Sequence, residues 1–128
     1  MTGHLGWVFA TLMVIAGACS DPEVEPLIDA CKTKCSEQEA CCPLGGCAGG
    51  GCVAECEGQY RNDRKLCPAQ VDKYVSCLRS APTWSCELDP SHPQGIDARP
   101  DGCDLFPLTC CLNQKSATPQ VIPGCPAL

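Results

Sequence analysis

Two short stretches decide the fold: CKTKC, from Cys31 to Cys35, and CVAEC, from Cys52 to Cys56. Each puts cysteines at i and i+4, which on a helix fall on one face about 6 Å apart. Between the two stretches, Pro43-Leu44-Gly45-Gly46 and Ala48-Gly49-Gly50-Gly51 break the chain, because so many residues without a Cβ do not hold a helical conformation. Two helices joined this way run antiparallel. Bridged Cα atoms lie about 4.4 to 6.8 Å apart, so two rungs form in one order: Cys31 with Cys56 and Cys35 with Cys52.

Outward from this hairpin, the first helix starts at Pro26, suited to a first turn, and carries Leu27, Ile28, Cys31, Cys35 and Cys42 on one stripe. The second runs from Cys52 through Val53, Cys56, Tyr60 and Asp63 or Arg64 to Cys67, with Gly58 costing about 1 kcal/mol. Cys67-Pro68 opens a third, whose face is Val71, Tyr74, Val75 and Leu78 and which ends before Ala81-Pro82. Leu88 to Pro100 reads as loop, given Asp89-Pro90, His92-Pro93 and Gly95. Arg99-Pro100-Asp101-Gly102 reads as a turn. Asp104 is placed to cap a short helix bearing Leu105, Phe106, Leu108, Cys111 and Leu112, with Pro107 in its first turn. The tail from Ser116 to Leu128 is expected to be extended and held by Cys125. The expected fold is a small disulfide-rich, mainly α protein: a helical hairpin with two C-x3-C motifs, a third helix, and an irregular Pro-rich, Cys-linked C-terminal region. The hairpin resembles the helical hairpins of small defence peptides and inhibitors, a likeness of scaffold that does not fix function.

Composition requires the staples. The chain of 128 residues holds 15 Cys, 12 Gly and 12 Pro, far from an ordinary globular domain. After Cys19, large apolar residues number 21 in 109. At roughly 2 kcal/mol each they do not offset ordering entropy of about 1.5 kcal/mol per residue. Seven disulfides are expected from Cys31, Cys35, Cys41, Cys42, Cys47, Cys52, Cys56, Cys67, Cys77, Cys86, Cys103, Cys110, Cys111 and Cys125. Beyond the two rungs, sequence leaves the pairing open. A net charge of -6 excludes nucleic acid as a partner, since phosphate binding needs a basic footprint.

The N-terminal segment carries an address. Leu5 to Ala18 is an uncharged run of 14 residues, too short for a membrane span of about 20 and suited to the apolar region of a signal peptide. It closes on Ala16-Gly17-Ala18, directly before Cys19. Parity singles out Cys19, because removing it from 15 leaves an even number for pairing. Ser20 to Pro26 (SDPEVEP) is acidic, contains two Pro and reads as a tether. The expected division is a signal peptide over 1–18, Cys19 and tether over 19–26, a stapled helical region over 27–86, and a Pro-rich loop, short helix and tail over 87–128. Ala16 to Cys19 resembles the lipobox of bacterial lipoproteins, with Ala16 where Leu is commonest. Together with Cys52 to Cys56 and the Cys67 to Cys77 helix, the chain is similar to the cysteine-rich lipoproteins of bacteria. That resemblance implies a lipid on Cys19 and a place in the cell envelope, at the outer membrane, or secretion.

Catalytic and metal-binding spacings are missing. Zinc ribbons and thiol oxidoreductases use C-x2-C, and metal buffers use C-x-C; neither occurs here. The neighbours Cys41-Cys42 and Cys110-Cys111 point apart and are expected to pair elsewhere. His92, beside Ser91 and among Asp89, Asp97 and Asp101, sits in a loop without rigid placement. Asp97, Asp101 and Asp104 lack the spacing of a calcium loop. Arg61, Arg64 and Lys65 read as a solvated helix face, and Trp84 as a residue packed on a disulfide. The expectation is a non-catalytic surface protein without cofactor or metal, a structural or binding module that meets the membrane through its lipid, with any protein partner left unidentified by the sequence. The alternative is a secreted inhibitor or toxin-like effector. It would present the Pro43 to Gly51 or the Leu88 to Gly102 loop, with Arg99 the residue a trypsin-like protease would find.

Overall fold

A computed structural model describes residues 24–92 and 94–127. Its elements are α1 (Glu25–Ala40), α2 (Cys52–Leu66), α3 (Pro68–Ser80), β1 (Trp84–Leu88), β2 (Ile96–Pro100) and α4 (Phe106–Lys115). The expected signal segment, Cys19 and most of the expected acidic tether lie outside the described residues. Glu25 and Pro26 belong to α1 rather than to the tether. Pro26 is tolerated there because the first N–H groups of a helix have no intrahelical acceptor.

In α1 the buried positions are Leu27, Ala30, Cys31, Cys35 and Gln38, one stripe at helical period. The helix stops at Ala40, so Cys42 falls beyond it rather than on its stripe. The two rungs form as the spacing predicts: Cys31–Cys56 and Cys35–Cys52 have Cα atoms 5.7 and 6.0 Å apart. Arg64 and Lys65 in the last turn of α2 complement its dipole. On α3, Val71, Tyr74, Val75 and Leu78 are all buried, and they centre a core completed by Leu27, Ala30, Cys31, Tyr60, Cys67 and Leu108. Tyr60 and Tyr74 meet edge to face with centroids 6.2 Å apart. Trp84 lies half-buried against this core.

Five further bridges lash the remaining elements to this centre. Cys41–Cys86 ties the end of α1 to β1, Cys77–Cys103 ties α3 to the segment after β2, and Cys67–Cys111 ties the α2–α3 junction to α4. Cys110–Cys125 holds the tail, and Cys42–Cys47 closes the Gly-rich loop. Adjacent cysteines therefore serve different elements, as their diverging side chains require. Asp104 Oδ1 accepts from Phe106 N–H at 2.9 Å, meeting the first free donor of α4, although the N-cap position itself falls on Leu105 rather than on Asp104. Leu105 precedes the helix and stays exposed with Phe106, so neither belongs to the buried face assigned from sequence. At Gly124, φ is +86° and an added Cβ would sit 3.3 Å from the Phe106 ring, so glycine is what lets the tail fold back over α4.

The region from Leu88 to Pro100 is not loop throughout. Its ends form an antiparallel hairpin with register Trp84↔Pro100, Cys86↔Ala98 and Leu88↔Ile96, and only Asp89 to Gly95 turns. The Arg99 to Gly102 turn correspondingly shrinks, since Arg99 and Pro100 are in strand. Gln38, 4% exposed, completes the outer edge of β2. Its Nε2 donates to Ile96 O and its Oε1 accepts from Ala98 N–H, both at 2.8 Å. These are the groups that point away from β1, so the amide takes the place of a third strand.

Glu39, one residue on, organises the Gly-rich loop. Its carboxylate accepts from Gly46 N–H and from Ala48 N–H, the latter at 2.9 Å. The Ala48 and Gly46 donors hold its carboxyl below the ordinary glutamate range. With the folded value below the unfolded one, this stabilisation is present above the unfolded carboxylate range and lost as pH falls through the folded value. The Gly46 and Ala48 amide signals are therefore expected to titrate together, with a midpoint below that of an unperturbed Glu. The Glu39→Gln protein is expected to show no such titration by NMR.

Candidate functional site

Strand alternation gives the hairpin two unlike faces. Trp84, Cys86, Ile96 and Ala98 share one, and Ala98 is 1% exposed against the helices. Ser85, Glu87, Asp97 and Arg99 share the other, and they form one wall of a cleft of about 490 Å³. Ala98 and Pro100 of β2, Lys34 of α1, Tyr74 of α3, Asp101 to Phe106 ahead of and entering α4, and Thr109 of α4 complete the lining. Cys77–Cys103 fixes the far rim to α3, so the walls are covalently joined.

Charge in the cleft is unevenly matched. Arg99 lies 3.2 Å from Glu87, 3.4 Å from Asp89 and 3.4 Å from Asp97. Cross-strand and same-face neighbours on a sheet come this close by construction. Asp101 accepts from Ser85 Oγ at 3.2 Å and Asp104 from Phe106 N–H at 2.9 Å; among the described residues neither has a cationic partner. Tyr74 is 8% exposed, and its hydroxyl bonds to none of the described residues. No buried side-chain oxygen or nitrogen among the described residues is sealed without a partner, so this hydroxyl reaches solvent. Burial first and Asp97 next push the Tyr74 phenol up, against a smaller opposing pull from Arg99.

Other candidate residues are spread out. The Ser91 hydroxyl bonds Asp89, while His92 Nδ1 faces Gln94 N–H at 3.4 Å, so Ser91 and His92 do not form a catalytic pair. Asp97, Asp101 and Asp104 line the cleft, yet among the described residues no three metal-ligating side chains converge. Arg61 pairs with Glu57 one turn away, Arg64 with Asp72 at 2.7 Å, and Lys65 with Asn62. Leu44 stands fully exposed at the tip of the Cys42–Cys47 loop. All fourteen cysteines among the described residues are bridged; Cys19, the expected lipid-attachment residue, lies outside them. Sequence reading missed the cleft because it missed the hairpin. The available signal was the period-2 pattern of WSCEL over Trp84–Leu88 and IDARP over Ile96–Pro100. No protein family, no curated protein and no solved structure matches this chain.

Proposed function

We propose that the protein is exported, anchored to the cell envelope by a lipid on Cys19, and serves there as a non-catalytic binding module. Seven bridges in so small a chain fit an oxidising environment outside the cytoplasm. No helix among the described residues is long and apolar enough to cross a membrane. The observation that carries the reading is the pairing itself. The fourteen cysteines from Cys31 onward consume one another, so Cys19, next to Ala16-Gly17-Ala18, is left without an intrachain partner. The acidic residues after it would hold the folded part off anionic headgroups. Of the alternative reading, an inhibitor or toxin-like effector, only the form that presents Arg99 to a trypsin-like protease is disfavoured, because Arg99 lies within β2 with its guanidinium among three carboxylates.

Radioactive palmitate is expected to label the full chain in a bacterial host and to leave the Cys19→Ser chain unlabelled. Equal labelling of the two would overturn the anchor, and retention of both in the cytoplasm would overturn export.

A further inference from the structure

The cleft between the hairpin, α3 and the start of α4 has three properties that bear on what it takes. Its carboxylates outnumber its cations: Glu87, Asp97, Asp101 and Asp104 against Lys34 and Arg99. Arg99 is already engaged by Glu87, Asp97 and Asp89. A carboxylate offers about four acceptor sites, and Asp101 and Asp104, both in the lining, each use one on a donor from the chain, so acceptor capacity is left over on both. The second property is Tyr74. Its ring is locked in the core against Tyr60, while its hydroxyl, in a residue nine-tenths buried, has no partner among the described residues. That hydroxyl reaches solvent, so its oxygen is open to a donor from a ligand. Third, Leu105 and Phe106, 46% and 42% exposed, lie on the rim.

These features select among ligands. An anion would meet the excess of carboxylates. A bare metal ion needs converging ligands, and the acidic side chains here do not converge. An extended organic cation, with several N–H donors spread over a few ångströms, matches separated carboxylates and a phenol oxygen that accepts. The apolar rim adds a place for a hydrocarbon or aromatic group next to that cation, which a free polyamine does not carry. The cleft volume lies in the range of ligand sites, about 300 to 1,000 Å³. We propose that this cleft binds an arginine side chain of a partner polypeptide through Tyr74, Asp101 and Asp104, with an apolar neighbour of that residue resting on Leu105 and Phe106. The proposal deepens the binding-module reading by naming the partner's chemistry.

The test uses the full chain in detergent solution, followed by NMR, with acetyl-Phe-Arg-amide as probe and acetyl-Phe-Gln-amide and spermidine as comparisons. The arginine probe is expected to bind with Kd below about 1 mM, shifting the signals of Tyr74, Leu105, Phe106 and Thr109. The glutamine probe is expected to bind at least about tenfold more weakly, as loss of a charge-assisted hydrogen bond implies. Tyr74→Phe, which keeps the ring in the core, and the pair Asp101→Asn with Asp104→Asn, which keeps an acceptor for Phe106 N–H, are each expected to weaken the arginine probe about tenfold. Glu57→Gln, on the ion pair with Arg61, is expected to leave it unchanged. Equal binding of the two dipeptides, no binding at all, or unaltered affinity in the Asp101 and Asp104 variant would overturn the proposal. Spermidine binding as tightly as the arginine probe, with the same dependence on Tyr74, would overturn the polypeptide partner in favour of a free polyamine. Because the readout is binding in detergent, it is independent of palmitate labelling at Cys19, and failure of one leaves the other standing.

Discussion

Cys67→Ala together with Cys111→Ala is expected to lower the unfolding free energy by about 4 kcal/mol, whereas Cys42→Ala together with Cys47→Ala costs about 2. The difference follows from how much freedom each bridge removes from the unfolded chain, since the first pair is separated by 44 residues and the second by 5. Burial widens the gap: Cys67 is 1% exposed at the α2–α3 junction, where truncation also leaves a void. Both partners are replaced so that no free thiol reshuffles the remaining bridges. Denaturant titration reads the two values, and equal losses would show that loop entropy does not set the ranking. Reduction of all seven bridges is expected to abolish the cooperative transition, because the apolar residues alone do not offset ordering.

Gln38→Ala is expected to cost about 2 to 4 kcal/mol, from two groups left without partners in a buried place. Truncation removes the donor to Ile96 O and the acceptor for Ala98 N–H. Ala98 is 1% exposed, so water does not take over without opening the hairpin. Hydrogen exchange at the Ala98 amide is the direct reading, and protection as strong as in the parent protein would refute the expectation. Gln38→Glu is expected to lose at least as much at neutral pH, since an ionised carboxylate oxygen then faces the Ile96 carbonyl in a buried place. Its carboxylate still accepts from Ala98 but does not donate to Ile96, and acidification returns the missing donor as the acid protonates.

The helical part of the fold was legible because its signals are local and repeated. The C-x3-C pairs set both the helix faces and the two rungs, and the Val71, Tyr74, Val75 and Leu78 stripe named the core of α3 before any packing was considered. Asp104 was legible as an acceptor for the free N–H groups at the start of α4, because that role needs only a short side chain nearby, but the N-cap position fell on Leu105. The hairpin was not read. Five-residue strands give two or three alternations, too few to outweigh Asp89-Pro90, His92-Pro93 and Gly95 between them, although turn chemistry at the middle is what a hairpin requires. The long bridges were illegible for a different reason: the pairing of Cys41 with Cys86, or Cys67 with Cys111, depends on how the hairpin and α4 fold back, which no spacing encodes. The cleft inherits both gaps, since its polar wall is the hairpin and its rim is fixed by Cys77–Cys103.

The bridges overlap end to end. Cys31–Cys56 overlaps Cys41–Cys86, which overlaps Cys67–Cys111, which in turn overlaps Cys110–Cys125. Every peptide bond from Cys31 to Cys125 is therefore spanned by at least one covalent link. An endopeptidase that cuts once within this stretch, at the hairpin tip or in the Gly-rich loop, adds a water and releases no fragment. The severed ends stay tethered at high effective concentration, so a nicked molecule keeps its helices in register. Damage at a single site is thus uncoupled from loss of the folded body.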